Sequence, residues 1–310
     1  MVDERAREWL ASQLGSRVVS LSQLTGGVSS QMYKVRTEVG DEAVLRRMTV
    51  EPWRRFADSL LRREYAVQQM LQNEPVHAPE PIAVDPDGST AGEPSLLMSL
   101  MPGGLDITRD DDDYVRELAD LLVRVHRFRP APGSWPSEYQ SWAFESKRAV
   151  PPWSQHDDAY AEAFARLRGP APSYRRTFIH RDFYLGNVLW QEGRVTGLVD
   201  WVETSAGPAD LDVAHCVSNT AGTHGVETAL RFRAAYVDAG GVLDHDADVG
   251  RYWQLMDLVG FLPDGRTAEG RESGATPGLM SAFWRAHGRP DLSPDLVRRR
   301  REDLLLAVLD

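Results

Sequence analysis

A single cysteine, Cys216, stands in a chain of 310 residues, so no intrachain disulfide can form and packing alone must hold the fold. No apolar run approaches the ~18 residues that a membrane-spanning helix needs, and even the terminal LLLAVLD is short and follows RRRRED. The opening MVDERAREWL is charged and lacks the apolar stretch of an export signal. These absences predict a cytoplasmic protein with no membrane partner. Positive charge is also scarce: 35 lysines and arginines face 46 aspartates and glutamates, a formal net charge of -11. That balance opposes phosphate backbones and argues against a nucleic-acid partner, while mildly favouring a cationic small molecule. Lysine is nearly absent, Lys34 and Lys147 being the only two, which matters because phosphate sites often use one. There is no GxGxxG, no HExxH or HxH, no internal repeat and no low-complexity tract.

What is present has the proportions of a folded globular chain, with 42% hydrophobic and 26% charged residues. VVSLSQLTGG, SQMYKVRTEV and DEAVLRRMTV are short β-branched runs set off by Gly or Asp, and predict consecutive antiparallel strands. From Pro52 to Gln72 the pattern turns helical, with Phe56, Leu60, Leu61, Tyr65, Val67, Met70 and Leu71 recurring every three to four residues. The proline-rich PVHAPEPIAV predicts a loop leading into a strand. PSLLMSLMPGG is an extended apolar run stopped by Pro102, Gly103 and Gly104, breakers that suit a hinge. The division expected there is 1–101 and 102–310. Beyond it the chain reads as mostly helical: DDDYVRELADLLVRVHRF, SQHDDAYAEAFARLR, and segments near 224–239, 247–262, 276–287 and 294–309.

Chemistry concentrates in FIHRDFYLGNVLWQEGRVTGLVDWVE, residues 178–203. His180-Arg181-Asp182 followed by Asn187 has the H-R-D-x-x-x-x-N spacing of a kinase catalytic loop, in which the Asp accepts a hydroxyl proton and the Asn binds Mg²⁺. VLW and VTGLVD flank QEGR, a turn between two strands that brings the chain back to Asp200. Hard Mg²⁺ takes carboxylate and amide oxygens, so Asn187 and Asp200 are a suitable ligand pair.

With these residues the chain resembles the aminoglycoside phosphotransferase family, whose signature is HxDxxxxN followed by an aspartate in a DW-like pair. The matching residues are His180, Asp182, Asn187 and Asp200-Trp201, with GPADLDVAHC (207–216) resembling the segment usual just afterwards. No activation loop or APE follows, which favours a small-molecule kinase over a protein kinase. The resemblance runs from about Leu24 to His215 and implies an α+β, protein-kinase-like bilobal fold: a small β-rich N-lobe with one main helix, and a larger helical C-lobe. It also implies transfer of the γ-phosphoryl group of ATP, or GTP, to a hydroxyl of a small molecule, with Mg²⁺. Aminoglycosides, macrolides, amino alcohols and other hydroxylated metabolites are all compatible acceptors.

The resemblance further assigns residues. Asp182 is the catalytic base; Asn187 and Asp200 hold the metal; Gly26, Gly27, Arg46, Glu64, Ser99 and Met101 serve the nucleotide. The third strand carries arginine where a kinase has lysine. Alternation puts Val44 and Arg46 on one face, which makes Arg46 the site-facing cation and Glu64 its partner, with Lys34 as a fallback phosphate contact. Arg46 and Glu64 could equally be solvated charges, the Gly pair an ordinary hairpin, and the apolar strand before Pro102 simply core. His180 and Asp212 read as scaffold that holds the catalytic loop. Tyr184, Glu203 and Asp257 are substrate candidates on topology alone, each equally readable as a packing or surface residue. Two other classes stay open. One is a regulatory pseudokinase, suggested by Arg46; the other is a hydrolase with a transition metal on His180, Asp182, Asp200 and His215.

Overall fold

The computed structural model describes residues 2–24, 30–264 and 277–310. Gly26 and Gly27 lie outside the described residues. The chain divides into two compact units: 1–104 with 189–191 and 196–204, and 105–188 with 192–195 and 205–310. The break falls after Gly104, three residues beyond the expected 101. The two short returning stretches could not be foreseen from composition, because only strand pairing takes them out of the second half.

The first unit is built on an antiparallel sheet in the order β1-β2-β3-β5-β4: β1 Val18–Leu24, β2 Gln31–Thr37, β3 Glu42–Arg47, β4 Pro81–Asp85 and β5 Ser95–Ser99. Strand periodicity divides the side chains of β3 and β5 between two cores. Ala43, Leu45 and Leu97 pack with Trp9 and Leu10 of helix α1, Glu4–Leu14. Val44, Leu96 and Met98 pack with Leu60 and Leu61 of helix α2, Ala57–Leu71. Because both faces are covered, β3 is buried along nearly its whole length, and its two arginines need charged partners. Arg47 is 3.6 Å from Asp3, the residue that caps α1. Helix α1 was hidden in the sequence by the charged opening segment, although Ala6, Trp9 and Leu10 share one buried face.

The second unit is mostly helical: α3 Asp112–Arg127, α4 Asp157–Arg166, α5 Ala209–His224, α6 Val226–Asp238, α7 Ala247–Gly260, α8 Pro277–Ala286 and α9 Pro294–Leu309. The expected helices are present within a few residues at each end. Helix α5 is buried almost all round, as a helix without a polar face must be. Two short strands, β7 Thr177–Ile179 and β10 Ser205–Gly207, pair antiparallel. β6 Gly104–Leu105, β8 Val188–Gln191 and β9 Arg194–Leu198 form a three-stranded sheet in the order β6-β8-β9. Glu192 and Gly193 link β8 to β9, both at positive φ (51° and 78°), the signature of a two-residue primed turn. Among the described residues no helix is long and apolar enough to cross a membrane.

Candidate active site

In the helical unit, the loop after β7 carries His180, Arg181 and Asp182. Its shape is set by Asp212 on α5, which is fully buried and accepts the backbone N–H groups of His180 and Arg181, each at 2.7 Å. Burial works to raise the Asp212 pKa, but the His126 hydrogen bond and the surrounding donors outweigh it and the carboxyl is held below its usual range. Nε2 of His126, on α3, lies 3.1 Å from Asp212, and its Nδ1 lies 2.7 Å from the Tyr236 hydroxyl. Arg181 takes up the left-handed region, φ 72°, a cost for a residue with a Cβ that the surrounding contacts must offset. His180 is wholly buried, and its Nδ1 accepts from the backbone N–H of Asp182. Both His180 and Asp212 thus have the scaffold role expected of them.

Asp182 is gripped at both oxygens. Oδ1 lies 3.0 Å from His215 Nε2, and Oδ2 accepts from Asn187 Nδ2 at 3.0 Å. The same Asn187 amide also donates to the Asp182 carbonyl at 2.8 Å. The Asp182 side chain is still 27% exposed, so it is fixed in direction and open to a ligand. Asn187 turns its amide nitrogen, and not its oxygen, toward Asp182.

Three further residues had been expected to meet the acceptor. Tyr184 is half-buried and sets its ring edge against His215, centroids 6.1 Å apart. Glu203, in the sheet unit, sits at intermediate burial in the turn Trp201–Glu203. Asp257 has a different place from that of a substrate contact: it is 2% exposed and hydrogen-bonded to His215 Nδ1 at 2.9 Å. It can reach an acceptor only through that histidine. The importance of His215 was missed in the sequence. The available signal was the spacing of Asp212, His215 and Asn219 at i, i+3 and i+7, a polar stripe on an otherwise apolar helix. With both ring nitrogens engaged by carboxylates, His215 offers no lone pair to a transition metal, which removes the hydrolase arrangement.

The sheet unit brings together Arg46, Glu64 and Asp200. Arg46 Nε is 3.1 Å from Glu64 Oε2 and its Nη2 is 3.0 Å from Asp200 Oδ1. Arg46 is 3% exposed and Glu64 not at all, so these are not solvated surface charges. Glu64 also accepts from the backbone N–H of Trp201 at 3.3 Å, joining α2 to the turn that carries Asp200. Burial and the neighbouring Asp200 charge raise the Glu64 pKa to about 7 against the pull of Arg46. Asp200 adopts φ 68° and is, like Arg181, held in the left-handed region. Lys34, the fallback phosphate contact, instead pairs with Glu42 at 2.8 Å on the surface. Ser99 is tied to Glu80 through both its backbone N–H (2.8 Å) and its hydroxyl (2.9 Å). Met101 is half-buried.

A model of the phosphotransferase enzyme family matches residues 20–253. A homoserine kinase from Gluconobacter oxydans is 26% identical over 239 residues, covering 69% of this chain and 72% of that protein. Among solved structures, a Ralstonia eutropha protein provisionally described as an aminoglycoside phosphotransferase superposes with a TM-score of 0.65 at 18% identity, covering 97% of this chain and 98% of the other. A choline/ethanolamine kinase family protein from Mesorhizobium loti gives 0.61 at 16% identity, covering 100% and 95%. These structures show the same α+β fold, an antiparallel sheet unit and a larger helical one.

Proposed function

Because the chain belongs to the phosphotransferase enzyme family, we propose that it transfers the γ-phosphoryl group of ATP, or of GTP, to a hydroxyl of a small molecule with the help of Mg²⁺. The observation that carries this reading is Asp182: a carboxylate clamped by His215 and Asn187 and still open to a ligand. In that geometry it accepts the acceptor hydroxyl's hydrogen bond, aims the oxygen, and takes the proton as the O–P bond forms. Arg46, held by Glu64 and by Asp200, supplies a fixed cation at the position of the kinase lysine. It keeps a cation where the family uses one, so the regulatory pseudokinase reading loses its ground.

The donor set suits a hard cation, with a carboxylate on Asp200 and an amide oxygen on Asn187 and no sulfur or imidazole. Those two residues would hold Mg²⁺, which neutralises phosphate charge when bound. Calorimetric titration with ATP and with GTP, each with and without Mg²⁺, tests the nucleotide half. Saturable binding strengthened by Mg²⁺ and lost in Asp200→Ala is expected; no binding of either nucleotide overturns it.

The acceptor is one of the small hydroxyl compounds compatible with this chemistry, and the net charge of -11 mildly favours a cationic one.

A further inference from the structure

Helix α5 passes through the middle of the helical unit, and His215 is the point at which it touches the catalytic loop. The imidazole lies between two carboxylates, with Nδ1 2.9 Å from Asp257 Oδ1 and Nε2 3.0 Å from Asp182 Oδ1. An ionised carboxylate only accepts hydrogen bonds, so both contacts call for a proton on each ring nitrogen; Asn219 Nδ2, 3.2 Å from Nε2, is then a neighbour and not a donor to it, its hydrogen bond going to the His215 carbonyl. The ring is also fixed in plane. Phe261 stacks on it at 5.5 Å and 13°, and Trp142 meets it edge-on at 5.4 Å. On the same helix, Asn219 donates to the His215 carbonyl at 3.0 Å.

We propose that His215 is a positioning residue for phosphoryl transfer: an imidazolium braced by Asp257 that holds the Asp182 carboxylate in the one orientation that receives an acceptor hydroxyl. This rests on the phosphotransfer reading of Asp182. The charges around the ring are consistent with it. Asp182 faces it from the catalytic loop and Asp257 from α7. Arg181 lies 4.0 Å behind Asp257, and Arg301 of α9 covers Phe261, its guanidinium carbon 3.7 Å from the ring centroid. Burial disfavours charge on His215, but the Asp257 charge and the hydrogen bonds to Asp182 and Asp257 outweigh it and raise the pKa to about 9. An imidazolium cannot accept the substrate proton, so His215 acts only by holding Asp182, and the proton goes to Asp182.

The test compares His215→Gln, Asp257→Asn and the double variant, each checked for native melting and for MgATP affinity. Turnover is followed with the acceptor found by screening, or as ADP release from MgATP with water as acceptor. A loss on the order of 10- to 100-fold in kcat is expected for His215→Gln, with the MgATP affinity unchanged. Asp257→Asn should follow in the same direction, and the double variant should be no worse than His215→Gln, because Asp257 acts through the ring. A folded His215→Gln protein with kcat within twofold of the parent overturns the proposal, as does strict additivity in the double variant. Nitrogen-15 spectra of labelled histidine provide an arm that needs no turnover. One ring, absent in His215→Gln, should remain doubly protonated at pH 8, where a free imidazole is neutral. A neutral ring there overturns the proposal even in an active enzyme, while absence of turnover with that ring protonated counts against the phosphotransfer reading instead.

Discussion

Asp182 and Asp200 are expected to fail differently when removed. The transition state of phosphoryl transfer is loose, so positioning and charge neutralisation carry more of the rate than proton removal does. Asp182→Asn should lower kcat on the order of 10²- to 10⁴-fold, while Asp200→Ala should leave no detectable turnover. Steady-state kinetics on both variants decide this, and full activity in either sinks the assignment. His215 also makes a prediction for stability. Its folded pKa of about 9 lies above the ordinary 6.5, so its contribution is complete below the unfolded value and is lost as pH rises through the folded one. Unfolding free energy should therefore drop by about 3 kcal/mol between pH 6.5 and 9, and this drop should vanish in His215→Gln. Glu64, raised to about 7, gives the same sign in a lower window starting at 4.5, and that part should survive in the variant. Denaturant melts across the range separate the two.

At the scale of elements, α5 is buried almost all round, and three of its polar residues, Asp212, His215 and Asn219, are what make that burial useful. Asp212 shapes the loop backbone, His215 steers its carboxylate, and Asn219 ties to the His215 carbonyl. The breaker at Gly103 has a physical basis too. It adopts φ 91°, and a Cβ there would stand 2.5 Å from the Trp190 carbonyl oxygen on β8. Neither the backbone strain nor a clash with main chain can be relieved by a side-chain rotation. Gly103→Ala should cost at least about 1–3 kcal/mol, read from urea unfolding, and an unchanged midpoint would show that the close approach of β6 to β8 is not required.

For the molecule as a whole, the net charge of -11 raises the local concentration of a cationic acceptor. In an acceptor panel of hydroxy amino acids, amino alcohols, macrolides and aminoglycosides, turnover with a cationic member is expected, with kcat/KM falling as salt is added. Turnover confined to neutral or anionic members would reverse that reading.

The catalytic loop was legible in the sequence because its parts lie within one short segment. Asp182 and Asn187 are five positions apart, which one short loop can bring within a few ångströms, so their spacing already encodes their geometry. The alternation in β3 and the period of α2 likewise oriented Arg46 and Glu64 before any coordinates, since strand and helix repeats are local properties. Helix α1, the extra stretches of the sheet unit, and the role of Asp257 were not legible. His215 is 33 residues from Asp182 and 42 from Asp257, and Arg46 is 154 from Asp200. Separations of that size carry no distance information, and only the packing of α5 and α7 and the hairpin of β8 and β9 convert them into hydrogen bonds. The sequence by itself determined the family, the α+β fold class and the loop on which the proposed chemistry rests. The tertiary structure alone decided which charges stand behind that loop, because a buried charge takes whichever partner the fold brings to it.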